Sequence, residues 1–171
     1  LRFIEYMPLD APGAWSKGHA LGVTFDQSPA DVRAPGQQSP PADGEQGSCE
    51  RVVDPSGLVV VRGRTVRLGK FAGAGPGRNV GLTDLVTGKD GSPMTAGIMS
   101  WGREDSFPWT LDYDEVDLVL DGVLQLGIDD RVLEGRAGDV FYIPKGSHVV
   151  FGTPRRTRVF YVTYPADWAQ K

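Results

Sequence analysis

The sequence predicts an all-β domain that closes as a barrel or packs as two sheets. Glycine and proline are abundant, with 23 and 13 among 171 residues, and both favour turns over long helices. From Leu58 onward, short runs rich in Val, Leu, Ile, Phe and Tyr alternate with Gly, Asp and Pro. They recur about every 8–12 residues, as is typical of barrels and sandwiches.

These apolar runs define about ten candidate strands: 58–62, 64–71, 79–87, 94–101, 109–120, 123–128, 131–134, 139–143, 148–152 and 157–164. Turn residues support the joints between them. Asp90-Gly91 and Asp121-Gly122 each contain the Asp-Gly pair that supplies the positive φ of a tight turn. Asp129-Asp130 is predicted to be another hairpin tip, and Pro165 to Ala169 predict one helical turn.

The residues before Leu58 are predicted to be organised differently. Residues 1–57 carry four Lys and Arg against eight Asp and Glu, so they account for the whole net charge of −4. Residues 27–57 are rich in Pro, Gly and Ser and cannot bury enough apolar surface to offset the entropy of ordering. We therefore expect an N-terminal segment of unclear origin (1–26), a disordered linker (27–57) and a folded domain (58–171).

The composition excludes several classes of function. Residues 58–171 are electrically balanced and lack the basic stripe that a phosphate backbone requires, so nucleic acid is not an expected partner. Cys49 is the single cysteine, which rules out an intramolecular disulfide and a zinc site built from several thiolates. No apolar run approaches the roughly 18–20 residues that span a bilayer. We expect a cytoplasmic protein without a membrane partner.

Residues 1–10, Leu-Arg-Phe-Ile-Glu-Tyr-Met-Pro-Leu-Asp, resemble a short segment of the radical-SAM GTP cyclase of molybdenum-cofactor synthesis. That family holds an iron–sulfur cluster with three clustered cysteines, whereas this chain has one cysteine in all. No cyclase activity is expected.

Two spacings point to the type of barrel. Glu115 is followed by six residues and then Gly122, and Gly138 is followed by five residues, Pro144, one residue and Gly146. These spacings resemble the two motifs of the cupin family. The resemblance implies a single cupin barrel of the RmlC-like jelly-roll type, preceded here by a largely disordered N-terminal segment.

The usual metal ligands of that family are missing. Metal-dependent cupins use three histidines together with the glutamate, and the three histidine places here hold Trp109, Leu111 and Val149. None of these side chains donates to a metal, so we predict no metal site of the usual kind. His148 lies one position from a ligand place, and a one-residue offset turns a strand side chain to the opposite face. We expect it to be outward or structural.

The cupin resemblance implies that the Glu115 side chain points into the barrel. Strand alternation then places Leu111, Tyr113, Asp117 and Val119 on the same face. Two carboxylates this close raise the pKa of one of them, which predicts either an acid/base pair or an oxygen-ligand site for a hard cation such as Mg²⁺.

A purely structural role for these carboxylates stays open. In that case Glu115 and Asp117 pair with basic side chains from facing strands; the candidates are Arg64, Arg67 and Lys70. Alternation assigns Asp112 and Asp114 to the outside of the barrel, where we expect both to be solvated.

Longer stretches resemble the EutQ family of ethanolamine-utilization cupins over residues of about 66–168. They include Phe-Pro-Trp-Thr-Leu-Asp-Tyr-Asp-Glu-Val-Asp at 107–117, Asp-Gly-Ser-Pro-Met-Thr-Ala-Gly-Ile-Met-Ser-Trp at 90–101 and Tyr-Val-Thr-Tyr-Pro-Ala-Asp-Trp at 161–168. The resemblance implies a dimeric cupin of ethanolamine catabolism, with acetate kinase activity attributed to some members. It assigns Tyr113, Glu115 and Asp117 as catalytic residues.

The expected pocket also contains Trp109, Leu111, Val119 and Phe141. Two functions stay open: an acetate kinase-like enzyme, for which Mg²⁺ and ATP are the expected cofactors, or a non-catalytic metabolite-binding or microcompartment-associated scaffold. The glycine-rich stretch 71–77 lacks the Gly-Lys-Ser/Thr ending of a phosphate-binding loop, so it gives the kinase no independent support.

The expected partners follow from the same two functions. They are a small-molecule metabolite, a second copy of the chain, and microcompartment shell or ethanolamine-pathway proteins. The outward-facing Val116, Leu118 and Leu120 are apolar enough to form the dimer interface.

Overall fold

The computed structural model describes residues 47–168, which contain eleven strands and no α-helix. The strands are β1 (Arg51–Val53), β2 (Val59–Val61), β3 (Gly69–Lys70), β4 (Gly81–Val86), β5 (Thr95–Gly102), β6 (Phe107–Thr110), β7 (Asp114–Ile128), β8 (Arg131–Arg136), β9 (Val140–Ile143), β10 (His148–Gly152) and β11 (Arg156–Tyr164). Short 3₁₀ turns lie at Gly63–Thr65, Ala72–Ala74, Gly88–Asp90 and Arg103–Asp105.

Strands β3 to β11 form a curled antiparallel barrel of two sheets that share β7. The first half of β7 pairs with β9 and β11, and the sheet continues through β5 and β4 to β3. The second half of β7 pairs with β8 and β10, and β10 pairs with β6. The prediction of an all-β cupin barrel is therefore confirmed. The segment 1–26, and the linker up to residue 46, lie outside the described residues.

The bend between the two halves of β7 lies where a hairpin was predicted. Asp121-Gly122 is not a turn between two strands, because β7 runs through it without interruption. Opposite it on β11 the register shifts: Thr157 faces Gly122, whereas Val159 faces Val119. The unpaired residue, Leu120 on β7, forms a bulge, and Gly122, two residues further on, has a φ of 75°. Both a hairpin turn and this irregular part of β7 need a residue with positive φ, which an Asp-Gly pair supplies. The hairpin prediction was wrong for this reason.

We expect Gly122→Ala to destabilise the domain strongly. An added Cβ would lie 2.0 Å from the carbonyl oxygen of Arg156, and positive φ is unfavourable for alanine. Gly138→Ala is the matched control, because Gly138 has a φ of 96° with nothing within 4 Å of its Cβ position. Urea unfolding should show a loss of about 1–3 kcal/mol for the control and a clearly larger loss for Gly122→Ala. Equal losses would contradict the close contact.

Two further strand predictions are corrected by the backbone hydrogen bonds. The stretch 109–120 contains a loop at 111–113, because Leu111 exchanges backbone hydrogen bonds with the turn after β9: its N–H donates to Ser147 at 3.0 Å and its carbonyl accepts from Gly146 at 2.7 Å. Within 64–71 only Gly69–Lys70 is a strand. The predicted turns at Asp90-Gly91 and Asp129-Asp130 are confirmed.

Apolar side chains pack in two clusters. The main cluster fills the barrel and includes Trp101, Phe107 and Phe151, whose rings lie within 6 Å of one another. A smaller cluster around Val66 and Ile98 lies on the opposite face of β5. Strands β1 and β2 form a hairpin with one strand on each side of the expected domain boundary at Leu58. The last part of the predicted linker therefore contains a strand. In residues 47–168, no helix is long and apolar enough to span a membrane.

Candidate functional site

The two carboxylates lie side by side in the interior, on the first half of β7. Glu115 is opposite Thr163 on β11, and Asp117 is opposite Tyr161. Glu115 is 4% exposed and Asp117 is fully buried, as strand alternation predicts for inward positions.

Asp117 has no hydrogen-bond donor in the part of the chain that the structure describes. Both of its carboxylate oxygens are buried without a hydrogen-bond partner there. The alternative in which Asp117 pairs with Arg64, Arg67 or Lys70 is therefore wrong. Because Glu115 and Asp117 are neighbours on one buried face and each carboxyl group perturbs the other, a proton held between the two carboxylates is the arrangement that satisfies both.

Both carboxyl groups bind their protons more tightly than an exposed carboxyl group does. Burial is the main cause of the raised pKa of Glu115, and the charge of Asp117 raises it further. Burial also raises the pKa of Asp117, while the neighbouring Glu115 carboxyl group partly opposes this. The pair therefore keeps at least one proton in a pH range where exposed carboxylates are ionised.

A narrow cavity opens onto Glu115. The space between its walls amounts to about 290 Å³ including the mouth, while the interior has room for about one water molecule. Glu115 and Thr163 contribute the non-aromatic polar groups, and the Thr163 hydroxyl is buried without a hydrogen-bond partner in residues 47–168. Seven of the eleven lining side chains are aromatic. The described lining contains no Lys, Arg or His.

Trp168 forms part of the wall of this cavity. It lies in the turn that follows β11 and packs against four other lining rings. The ring centroids are 6.0 Å away for Phe71, 6.4 Å for Trp109, 5.9 Å for Tyr113 and 6.1 Å for Tyr161. Trp168 therefore holds several aromatic side chains of the wall together.

Two tyrosines flank Glu115. Tyr113 accepts a hydrogen bond from the indole N–H of Trp109 at 2.7 Å, and burial followed by the charge of Glu115 raises its pKa. Tyr161 donates a hydrogen bond to Asp84. Its ring lies over the backbone of Gly97, where an added Cβ would lie 2.3 Å from the tyrosine oxygen. Glycine at 97 is thus required for the position of Tyr161.

The structure brings only some of the predicted site residues to the cavity. Tyr113, Glu115 and Trp109 line it, whereas Asp117 lies behind Glu115 and does not reach it. The other three expected pocket residues do not line it either: Leu111 and Val119 are fully buried in the core, and Phe141 packs next to Asp117 over Gly135. For Leu111 the physical reason is the loop at 111–113, which removes it from the strand.

The sequence analysis missed eight of the eleven lining residues, among them Phe71, Tyr161, Thr163 and Trp168. Alternation along β11 could have found Tyr161 and Thr163, which are two residues apart and inward. No short-range pattern points to Phe71 or Trp168, because they come from irregular segments.

The remaining predictions near the site are settled by local contacts. His148 is exposed, with its Nδ1 2.9 Å from the Thr110 hydroxyl, which confirms an outward position. Asp114 is not simply solvated: it accepts hydrogen bonds from the Tyr142 hydroxyl at 2.9 Å and the Lys145 backbone at 3.0 Å. Trp109 and Val149 occupy two of the three positions where metal-dependent cupins have histidine, and they lie directly opposite each other on β6 and β10.

Comparisons with known proteins match the same domain. The sequence model of the family described as "Ethanolamine utilisation protein EutQ" matches residues 36–170. The chain belongs to the EutQ family. Proteins named "Acetate kinase EutQ" are 49% identical over 123 residues in Salmonella typhimurium LT2, 48% identical over 123 residues in Escherichia coli K12 and 38% identical over 121 residues in Clostridioides difficile 630.

Two EutQ structures resemble this one. A putative ethanolamine utilization protein Q from Salmonella typhimurium LT2 has a TM-score of 0.68 at 49% identity, covering 71% of this chain and 97% of that one. The Clostridium difficile EutQ protein has a TM-score of 0.66 at 37% identity, covering 72% and 92%. The sequence matches cover 72%, 72% and 69% of this chain, and 53%, 52% and 76% of the Salmonella, Escherichia and Clostridioides relatives. The chain thus spans about half the length of the first two.

The cavity next to Glu115 does not fit a magnesium ion. Mg²⁺ prefers carboxylate oxygens but keeps several of its waters, and only one carboxylate, that of Glu115, reaches a cavity with room for about one water. In residues 47–168, no group of three or more His, Cys, Asp or Glu could hold a metal ion.

Proposed function

We propose that this chain acts in ethanolamine utilisation by binding a small metabolite in the aromatic cavity and exchanging a proton with it through Glu115. The observation that carries the proposal is the arrangement of the carboxylate pair. Glu115 faces the cavity, while Asp117, buried behind it, keeps a proton on the pair. In this arrangement Glu115 is the acid/base residue and Asp117 is a positioning residue.

The proposed reaction is acetate kinase-type phosphotransfer, the activity in the names of the relatives. An acetate oxygen would form a bond to the γ-phosphorus of ATP as the bond to the ADP oxygen breaks. Protonated Glu115 can donate a hydrogen bond to one acetate oxygen while the other attacks, and Tyr113 lies beside it. No step is assigned to Mg²⁺ at Glu115.

The enzymatic form is tested by measuring acetyl phosphate formation from acetate and ATP, with and without Mg²⁺. We expect Glu115→Leu, which removes the carboxyl group that would donate to acetate, to lower the rate at least about 10-fold, the usual contribution of a hydrogen bond to a charged group. Glu134→Gln is the control, because Glu134 is exposed on β8 and bonds to Gln125 and Arg136 at the surface. If the parent and both variants form acetyl phosphate no faster than a reaction without protein, the enzymatic form is ruled out.

A second candidate is a non-catalytic cupin that binds a metabolite or serves as a microcompartment-associated scaffold. The favouring observation is the lack of a phosphate cradle within the described residues. The stretch 71–77 forms a 3₁₀ turn with no helix after it, and no basic side chain lines the cavity. Co-sedimentation with purified shell proteins tests the scaffold form, and retention in the supernatant would count against it.

The proposed partner in either form is a second copy of the chain. The outer faces of β7 and β9 carry an apolar patch in which Val116 lies opposite Tyr142, and Leu118 lies opposite Val140. All except the half-buried Leu118 are exposed. Strand β9 pairs with β7 on one side, and its other edge is unpaired within the described residues. Exposed apolar edges favour self-association.

We expect Val140→Lys to convert a dimer into a monomer, because it places a charge in this patch. Val132→Lys is a matched control, since Val132 is 62% exposed and Val140 is 63% exposed, but Val132 lies on β8 of the other sheet. Light scattering at micromolar concentration measures the mass of each. A monomeric parent, or equal masses for both variants, would contradict this interface.

A further inference from the structure

We propose that the cavity binds a small primary ammonium ion, whose positive charge takes the place of the proton shared by Glu115 and Asp117. The inference rests on the proposed function only in taking this cavity as the functional pocket, and it does not depend on the reaction carried out there. It concerns the ligand class that the walls recognise.

The first argument is the unmatched negative potential of the pocket. Ionised carboxylates in a protein interior need a partner of opposite charge. Among the described lining residues no Lys, Arg or His supplies one, and both oxygens of Asp117 lack a hydrogen-bond donor. Either a proton or a cationic ligand must therefore balance the pair.

The second argument is the nature of the walls. Phe71, Trp109, Tyr113, Tyr161 and Trp168 are among the side chains that line the cavity. Aromatic rings attract cations through their π faces, most strongly in tryptophan, and cages of such rings recognise organic ammonium groups. The same walls exclude the water shell that a metal ion would keep, so they favour an organic cation over Mg²⁺.

The third argument is the match of donors, acceptors and size. The interior accommodates one water-sized group, which is the size of an –NH₃⁺ head, and the wider mouth leaves space for a short alkyl chain. An ammonium head has three N–H donors. Glu115 and the unpartnered Thr163 hydroxyl are acceptors that face the same space.

Binding of the cation expels a proton. The titratable groups that face Glu115 are Asp117 on the same strand, Tyr113 in the preceding loop and Tyr161 on β11, while β9 contributes Ile143. Both tyrosines have a raised pKa and stay neutral at pH 8. The proton therefore leaves the carboxylate pair and enters the buffer.

The test is a titration at pH 8 and constant ionic strength with three probes of similar size: ethylammonium chloride, ethanol and sodium acetate. Calorimetry and the fluorescence of Trp109 and Trp168 follow binding. We expect ethylammonium to bind at least ten-fold more tightly than either other probe. We also expect proton release, seen as a heat that changes with the ionisation enthalpy of the buffer.

Two variants locate the site. Glu115→Gln keeps the size of the side chain and removes its charge, and we expect it to weaken ethylammonium binding at least ten-fold. Thr163→Val should weaken it several-fold, and the surface variant Glu134→Gln should leave it unchanged. Circular dichroism and thermal melting confirm that each variant is folded.

Three results would overturn the proposal: no binding of ethylammonium, acetate binding as tightly at pH 8, or undiminished binding by folded Glu115→Gln. An inactive parent in the acetate assay that still binds ethylammonium would refute only the kinase form. Conversely, an active parent that fails to bind ethylammonium would refute only this inference.

Discussion

Asp117→Asn is expected to stabilise the protein above neutral pH and to flatten the dependence of its stability on pH. In the folded protein the pKa of both Glu115 and Asp117 is raised, whereas both groups ionise near pH 4 in the unfolded chain. Between about pH 5 and the folded-state pKa values, the native state therefore binds more protons than the unfolded state. The free energy of unfolding must then fall as pH rises.

The slope of this loss is about 1.4 kcal/mol per pH unit for each extra proton held by the folded state. Asparagine at 117 removes one of the two titrating groups, and its amide can donate a hydrogen bond to Glu115. Urea unfolding at pH 5, 6, 7 and 8 should therefore give a shallower slope for Asp117→Asn than for the parent.

Asp130→Asn provides the control, because Asp130 lies exposed in the turn between β7 and β8. The carboxylates with a lowered pKa, such as Asp90 and Asp114, lose their contribution only at more acidic pH, so they do not affect this range. Identical slopes for the parent and Asp117→Asn would show that the buried pair does not retain extra protons.

Trp168→Ala is expected to cause the largest loss of stability among the cavity substitutions. The indole is almost fully buried and contacts four aromatic rings at the mouth of the barrel. Removing a buried tryptophan costs about 3–5 kcal/mol. For a domain of this size we expect the melting temperature to fall by roughly 10 °C.

Trp168→Phe is the matched variant, since it keeps an aromatic ring at the mouth and should lose less than half as much stability. Differential scanning calorimetry measures both changes. A melting temperature for Trp168→Ala within about 2 °C of the parent, a shift expected of a substitution at an unimportant surface position, would show that packing of this ring contributes little to stability.

Sequence reasoning predicted the barrel well because its signals are local. Alternation placed Glu115 and Asp117 on the buried face, and Asp-Gly pairs marked places where the backbone needs positive φ. An Asp-Gly pair does not determine whether the chain turns back as a hairpin or continues as the same strand. Pairing with β11 decides this at Gly122, and pairing depends on residues distant in sequence.

The cavity was predicted only in part because segments far apart in the sequence build it. Phe71 comes from the loop after β3, Tyr161 from β11 and Trp168 from the turn that follows. Periodicity along one strand cannot show that such rings meet. It also cannot separate Glu115 from Asp117, which share a face although only Glu115 reaches the cavity.

The continuous course of β7 through both sheets has a consequence for how the protein opens. Its amides pair with β9 and β11 in one half and with β8 and β10 in the other. Neither sheet can therefore separate locally without disrupting the strand that holds the other. In hydrogen exchange, the amides near Val116 and those near Leu126 should show the same free energy of opening, that of global unfolding. The carboxylate pair then lies in the slowest-exchanging part of the domain.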